Sequence, residues 1–368
     1  MKIATFNIQN LFYRHRELIQ KSRSKNSADW NIELDMLLRK HPKGVGDNER
    51  INDLSFLLGF EKMEDMPYAV LKNKAGDLCF KRQGFQNITK ASFLTDWEGW
   101  VKLVNRPIHE KAIFSKAYTV AETDPDILLL QEVEDRGSLL EFNAEFLPLL
   151  KVSPYREVLV FETNDPRGLG MGLLLKNGYR LNGMKNHLHD LDADGFALFD
   201  VDCQEYEIGT PDGDTLWVLA NQFSPDDVQR KRQAEKVAEI YTRMRSKGKE
   251  KILVCGTLND VPYSDALSPL IRETDLRDVS KHKRFEVAID RGKDARYFRL
   301  GAYRMGVNIK QKDYLMLSPY LFEKVRKAGM NRKGTWPDKT PNWALYPSIA
   351  GKHHAASEHP LVWGKIDL

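Results

Sequence analysis

Short apolar runs recur along the chain, and several of them end in polar or acidic residues. Asp126–Asp135 (DILLLQEVED) is an apolar run that ends in acids, and Lys251–Gly256 (KILVCG) leads directly into Thr257. Continuous apolar runs of this length are typical of β-strands that are covered on both faces. The predicted strands are Lys2–Asn7, Asp126–Asp135, Met171–Lys176, Phe196–Asp202, Thr215–Phe223, Lys251–Gly256, Asp313–Ser318 and Pro360–Ile366.

Helical segments separate some of these strands. Asp226–Gly248 has acids at its start, basic residues in its last turn and a glycine at its end, which together predict a helix. A second helix is predicted over Arg136–Leu150. A third is predicted to begin near Ser264, which is a suitable N-cap residue.

The segment Tyr13–Tyr118 has a different character. It is polar, carries mixed helical signals and lies between the first predicted strand and the second, where a compact domain needs far fewer residues. We therefore predict one domain over residues 1–368, with a helical insertion at residues 13–118 rather than a separate domain.

Composition restricts the setting of the chain but not its substrate. The 368 residues are 42% hydrophobic, and the net charge of +4 permits an anionic partner without requiring one. Three cysteines with no CxxC pair argue against a disulfide framework and favour a reduced compartment. Neither a signal peptide pattern nor an apolar run of ~18 residues is present. We expect a cytoplasmic protein without membrane contact, and the oligomeric state stays open.

Polar side chains just beyond the strand ends are the candidates for chemistry. Polar groups that converge on one rim are how α/β proteins usually build their sites. Mg²⁺ takes oxygen ligands and often uses one or two carboxylates plus substrate phosphate, a role that suits Glu132. Asn7 and Asn259 could orient water or a phosphate oxygen, and His359, held by Asp313, could stabilise phosphate charge. Each residue also has a structural interpretation, as a solvated acid, a turn asparagine or a structural histidine.

In chain order, these segments resemble motifs of the endonuclease/exonuclease/phosphatase superfamily, the DNase I-like phosphoesterases. The similar stretches are IATFNIQNLF, DPDILLLQEVED, VCGTLNDVPYSDAL, KDYLMLSP and ASEHPLVW. The resemblance implies a four-layer α/β sandwich, in which two packed, mainly antiparallel sheets are flanked by helices. It also implies metal-assisted hydrolysis of a phosphoester by water.

The resemblance assigns roles by position. Glu132 would hold Mg²⁺ or Mn²⁺, with Asn7 assisting and Glu358 as a further acid of the metal site. Asn259 would orient the nucleophile or the phosphate. Asp313 and His359 would form the pair that stabilises charge on the phosphate.

The chain departs from the family pattern at several of these positions. Thr257 stands where the family has an aspartate that activates or positions the attacking water, and a threonine cannot act as a base near pH 7. Gln222 stands where many relatives have a histidine, and Glu358 replaces an aspartate. Two hypotheses follow: a Mg²⁺-dependent phosphodiesterase, a nuclease with altered or weakened catalysis, or a catalytically inactive protein that binds nucleic acid or another phosphate-bearing partner.

The segment Arg326–His354 bears on the choice of partner. It is basic, it is predicted to be rich in loops, and it contains the aromatic residues Trp336, Trp343 and Tyr346. Such a segment could contact a phosphate backbone and stack bases. A solvated loop is the alternative interpretation. The substrate, whether DNA, RNA, a nucleotide or a lipid head group, stays open at this point.

Overall fold

The chain divides into two compact units. A computed structural model describes residues 1–15, 27–40, 42–57, 69–73, 78–79, 99–103, 105–165, 167–192, 194–291, 310–337 and 340–368. The first unit comprises Met1–Phe12, Ile108–Asp165 and Leu169–Leu368, and the second comprises Tyr13–Pro107 and Pro166–Gly168. All candidate site residues named above belong to the first unit.

The second unit contains strands as well as helices. Its elements are β2 (Tyr13–His15), α1 (Ser27–Arg39), α2 (Val45–Leu57), β3 (Ala69–Asn73), β4 (Leu78–Cys79), β5 (Gly99–Leu103) and β6 (Asn105–Pro107). Strands β2 and β6 pair with each other, and β3 lies between β4 and β5. Much of the predicted insertion at residues 13–118 lies outside the described residues, so its extent and the single-domain assignment stay predictions.

Two sheets form the centre of the first unit. The first sheet contains β1 (Lys2–Asn7), β7 (Ile127–Val133), β8 (Glu157–Phe161), β9 (Gly170–Leu175), β15 (Phe285–Glu286), β17 (Val325–Asn331) and β18 (Leu361–Ile366). Its strand order is β15-β17-β18-β1-β7-β9-β8. The second sheet contains β10 (Arg180–Lys185), β11 (Asp202–Gly209), β12 (Thr215–Gln222), β13 (Ile252–Thr257), β14 (Arg277–Asp278) and β16 (Asp313–Leu317). Its order is β10-β11-β12-β13-β16-β14.

Most neighbouring strands run antiparallel. The parallel pairs in these two sheets are β1 with β7, β12 with β13, and β15 with β17. The parallel pairing of β12 and β13 brings their carboxyl ends to one edge, and antiparallel β16 brings its amino end to the same edge. This edge is where the candidate site lies.

Helices cover the outer face of each sheet. The helices of the first unit are α3 (Glu110–Thr123), α4 (Arg136–Glu141), α5 (Asp227–Ser246), α6 (Ser268–Ile271) and α7 (Pro319–Glu323). Side chains of α3 and α4 pack on the first sheet, and side chains of α5 pack on the second. A third apolar cluster lies between the two sheets. The predicted α/β sandwich of two mainly antiparallel sheets flanked by helices is confirmed.

Some predicted elements were wrong or incomplete. Phe196–Asp202 is not a strand: the Phe196 side chain is 71% exposed, and β11 begins only at Asp202. Arg136–Leu150 is helical but not regular, because α4 passes into a π-helical turn and then a 3₁₀ turn that starts at Pro148. A proline ring has no N–H to continue the α-helical bonding.

One further correction and one agreement concern the C-terminal half. Ser264 does not cap α6, whose N-cap is Leu267; the Ser264 hydroxyl instead accepts a bond from the Leu267 amide in the preceding turn. The segment Arg326–His354 begins within β17, and after Asn331 its described residues are mostly turns and loop, as predicted. Among the helices that the structure describes, none is long and apolar enough to cross a membrane.

Candidate active site

Side chains from both sheets meet at one rim of the sandwich. Thr257 is paired in register with Gln222 on one side and with Asp313 on the other. Across the rim, Asn7 ends β1 beside Gln131 of β7. The side chains at the rim that are connected by hydrogen bonds are Asn7, Glu132, Gln222, Thr257, Asp313 and His359.

One half of this network is a histidine–carboxylate pair extended by a threonine. His359 Nδ1 lies 2.9 Å from both oxygens of Asp313. The Thr257 hydroxyl donates a 2.8 Å bond to Asp313 Oδ1. Among the described residues none hydrogen-bonds to the other ring nitrogen, Nε2, so the pair leaves that nitrogen for a ligand.

The other half is centred on a carboxylate that accepts from two amides. Gln222 Nε2 donates to Glu132 Oε1 at 3.0 Å, and Asn7 Nδ2 lies 3.3 Å from the same oxygen. Asn7 Nδ2 also lies 3.3 Å from the Thr257 hydroxyl, which joins the two halves. Gln222 therefore contacts Glu132 through a neutral amide donor, as Asn7 does.

Electrostatics favour the charged form of the histidine. Burial lowers the pKa of His359, but the charge and hydrogen bond of Asp313, with the charge of Glu132, outweigh it and raise the pKa above its ordinary value. A raised pKa keeps the imidazolium populated nearer to neutral pH. Such a group can stabilise negative charge on a phosphate oxygen.

Backbone geometry aims Glu132 at the rim. Its φ is +60°, a left-handed value that is rare for a residue with a side chain. The pairing of β7 with β9 shifts register between Leu130 and Val133, so Glu132 lies in an irregularity of the strand. Irregularities of this kind re-aim side chains and are frequent next to active sites.

The strand that ends in Thr257 requires a glycine. Gly256 has φ +120°, and a Cβ built there would lie 1.9 Å from the carbonyl oxygen of Asn221 in β12. Only glycine allows the two backbones to approach this closely. The close approach sets Thr257 beside Gln222.

Two predicted site residues make other contacts. Asn259 has φ +58°, and its Nδ2 donates a 2.6 Å bond to the carbonyl of Phe223, which ties the loop after β13 to the end of β12. Glu358 is exposed and its carboxylate pairs with Lys352. The roles predicted for both, in orienting the nucleophile and in holding a metal, stay predictions.

Sequence reasoning assigned no role to several residues that hold the rim together. The Ser357 hydroxyl donates 2.7 Å to the Asn7 carbonyl and accepts 3.0 Å from the His359 amide. The Glu134 carboxylate accepts from the amides of Leu11 and Phe12, which fixes the loop after β1. Both residues lie inside the motifs quoted above, but nothing in the local sequence indicates which distant segment they contact.

One carboxylate at the rim is suited to a divalent ion. Mg²⁺ commonly takes one or two carboxylates and completes its shell with water and substrate oxygens. Glu132 is the carboxylate suited to this, with the amide of Asn7 beside it. Nowhere among the described residues do three or more His, Cys, Asp or Glu side chains form a group placed to hold a metal. Glu132 would therefore hold such an ion together with water and substrate oxygens.

The aromatic residues predicted to stack bases are mostly used by the fold. Trp343 is buried, and its Nε1 donates 2.8 Å to the carbonyl of Arg332. The Tyr346 hydroxyl contacts Asn331 and Glu122. The prediction that Trp343 stacks on bases is therefore wrong, because its ring is buried inside the protein.

No protein-family model and no curated protein sequence matches the chain. Several solved structures are similar to it. A mannosyl-6-phosphatase of Bacteroides thetaiotaomicron is 13% identical, with a TM-score of 0.47 over 70% of this chain and 90% of that one. The catalytic domain of human Nocturnin, solved with a bound sulfate anion, is 17% identical, with a TM-score of 0.45 over 70% of this chain and 87% of that one.

An endonuclease/exonuclease/phosphatase family protein from Bacteroides thetaiotaomicron is 14% identical, with a TM-score of 0.47 over 70% of this chain and 89% of that one. Identities this low do not reveal which side chains act, so their roles must come from the geometry of the rim. The chain is similar in structure to solved endonuclease/exonuclease/phosphatase proteins, the superfamily that its sequence motifs resemble.

Proposed function

We propose that the chain is a divalent-metal-dependent phosphodiesterase, a nuclease acting on DNA or RNA, with weakened catalysis. The observation that carries this proposal is the His359–Asp313 pair, which lies on the same hydrogen-bonded rim as Glu132. A histidinium held by a carboxylate, next to a carboxylate suited to Mg²⁺, is an arrangement that serves phosphoryl chemistry. The mild net positive charge is compatible with an anionic substrate.

Each residue has a defined part in the proposed reaction. Asp313 keeps the Nδ1 proton of His359 in place and stabilises the imidazolium, so that Nε2–H can donate to a phosphate oxygen. Asn7 orients Glu132 through its amide. Glu132 would hold Mg²⁺ or Mn²⁺, which supplies Lewis-acid polarisation of the phosphoryl oxygen when bound.

The weakness of the proposed catalysis lies at Thr257. Its hydroxyl donates to Asp313 and cannot take a proton from water near neutral pH. Loss of a positioned general base typically costs about 10²–10⁴ in rate. Hydrolysis would then rely on stabilisation of phosphate charge and on the metal.

A second candidate function is a binding protein without catalysis. It is favoured by the way Glu132 Oε1 accepts from two neutral amides, those of Asn7 and Gln222. A carboxylate satisfied in this manner has less need of a cation. The charged His359 would then bind a phosphate group without cleaving its ester.

Hydrolysis assays decide between the two functions. Plasmid DNA, RNA and bis-p-nitrophenyl phosphate are each incubated with the purified chain, with and without Mg²⁺ or Mn²⁺. The proposal expects slow, metal-dependent cleavage that is lost in His359→Ala. If no phosphodiester is cleaved but nucleic acid binds, and binding weakens in His359→Ala, the binding protein is correct.

A further inference from the structure

A lysine on α3 is fully buried. Lys116 has 0% of its surface exposed, although lysine is among the residues that are almost never fully buried without partners. Its Nζ donates 2.8 Å to the carbonyl of Ile8 and also donates to the carbonyl of Ala356. Both oxygens belong to loops, and the two loops are far apart in the chain.

The two loops contacted by Lys116 are the ones that carry the site. Ile8 directly follows Asn7, and Ala356 begins the turn that leads through Ser357 to His359. The Ser357 hydroxyl bridges the same loops by donating to the Asn7 carbonyl. Lys116 and Ser357 therefore connect the same two segments, Lys116 from the core and Ser357 at the rim.

A third connection extends this support to the metal-ligand candidate. The amide of Asn10 donates 2.8 Å to the carbonyl of Glu132, and the Gln9 side chain accepts 2.8 Å from the amide of Glu358. The loop after β1 is thus bonded to β7 on one side and to the turn before β18 on the other. A shift of this loop would move Asn7 relative to both Glu132 and His359.

We propose that Lys116 is a positioning residue for the rim, which sets the distance between the phosphate-binding histidine and the metal-ligand candidate. The proposal rests on the proposed function, since it assigns Lys116 to that same site. An ammonium donor bonds a carbonyl more strongly than a neutral donor does, and a buried carbonyl that loses its donor keeps its full desolvation cost. Without Lys116, the two loops would relax toward other partners.

The kinetic test compares Lys116→Met, Lys116→Arg and a matched control, Thr123→Val. Thr123 is also buried on α3, but its hydroxyl donates to the Thr119 carbonyl of the same helix. In Lys116→Met we expect kcat to fall about 10²-fold, as small displacements in a site do. KM should change by less than about threefold, because substrate contacts remain. Lys116→Arg should recover part of the loss, and Thr123→Val should lose none.

Hydrogen exchange provides a readout that does not need activity. In Lys116→Met, amide exchange should rise about tenfold in residues 8–12 and 355–359 together, with α5 unchanged. If Lys116→Met does not fold, Lys116→Gln, which keeps a neutral donor, is measured instead. Unchanged exchange in both loops, or an equal rise in Thr123→Val, overturns the proposal. If the wild type cleaves nothing while the two loops still respond, the proposed function fails and the positioning role stands.

Discussion

The Thr257 hydroxyl donates a 2.8 Å hydrogen bond to Asp313 Oδ1, and Asp313 in turn holds the ring of His359. A carboxylate at position 257 would therefore lie against the Asp313 carboxylate. Two carboxylates at this distance repel each other unless a proton or a metal ion is shared between them. The residue that weakens the proposed chemistry is thus also one that stabilises the metal-free rim.

We expect Thr257→Asp to lower the stability of the metal-free protein and to raise its activity with metal. Without metal, we expect a lower melting temperature than that of the wild type. With Mg²⁺, we expect metal-dependent phosphodiesterase activity to rise, by up to about 10²-fold as a base is restored. The rise should be larger when Gln222→His is added and should vanish with Glu132→Gln or His359→Ala.

Thr257→Asn is the matched control for this change, because it has the size of aspartate without its charge. It should show neither the lower melting temperature without metal nor the gain in rate with Mg²⁺. A wild type that cleaves rapidly and is slowed by Thr257→Asp would mean that threonine belongs to a working site of another design.

Metal binding should depend on Glu132. Calorimetric titration with Mg²⁺ or Mn²⁺ should show at most one weak site, which disappears in Glu132→Gln because that change removes the carboxylate at the rim. Glu358→Gln is the informative comparison, since the Glu358 carboxylate pairs with Lys352. Equal loss in both variants would restore Glu358 as a ligand, and unchanged binding in Glu132→Gln would place the ion elsewhere.

The pH dependence of the rate should follow His359. Its folded pKa is raised by Asp313 and Glu132, after the opposing effect of burial. The stability from the charged imidazole is therefore fully present below the ordinary value of about 6.5 and is lost as pH rises through the folded pKa. Rate should fall over the same alkaline range. In Asp313→Asn the alkaline limb should move to lower pH, and a profile that does not move would remove His359 from the mechanism.

The left-handed backbone at Glu132 should have a measurable cost. A residue with a Cβ at φ +60° is strained, whereas glycine adopts this region freely. We expect Glu132→Gly to be more stable than Glu132→Ala by about 1 kcal/mol in urea unfolding. Both variants lose the carboxylate, so neither should cleave. Equal stability of the two variants would mean that the strand relaxes once the side chain is gone.

A buried acid behind the rim should make the protein less stable as pH rises. Burial raises the pKa of Asp202 to about 6, against the hydrogen bonds from the amides of His187 and Cys203. The favourable contribution of Asp202 to the free energy of unfolding is complete below its unfolded pKa and is lost as pH rises through about 6. The stability of Asp202→Asn relative to the wild type should therefore increase between pH 4 and 7, by up to about 3 kcal/mol in the free energy of unfolding. A constant difference across this range would show that Asp202 does not titrate there.

The strands and the polar residues at their ends could be predicted because an apolar run and its terminus are local signals. The strand predicted over Phe196–Asp202 failed because composition does not reveal whether both faces are covered, and Phe196 faces solvent. The contacts of Thr257 and Lys116 were beyond prediction for another reason. Lys116 reaches a carbonyl 108 residues away and another 240 residues away, and no local pattern encodes such pairs.

Gly256 places a limit on any attempt to activate this rim. The Asn221 carbonyl occupies the space where a side chain at 256 would begin. Directed evolution can vary Gln222, Thr257 and their neighbours, since those positions carry side chains that point into the site. Position 256 offers no such choice, because any other residue would push β12 and β13 apart. The side chains at the ends of these two strands would then lose their present spacing, whatever substitutions were made at the other positions.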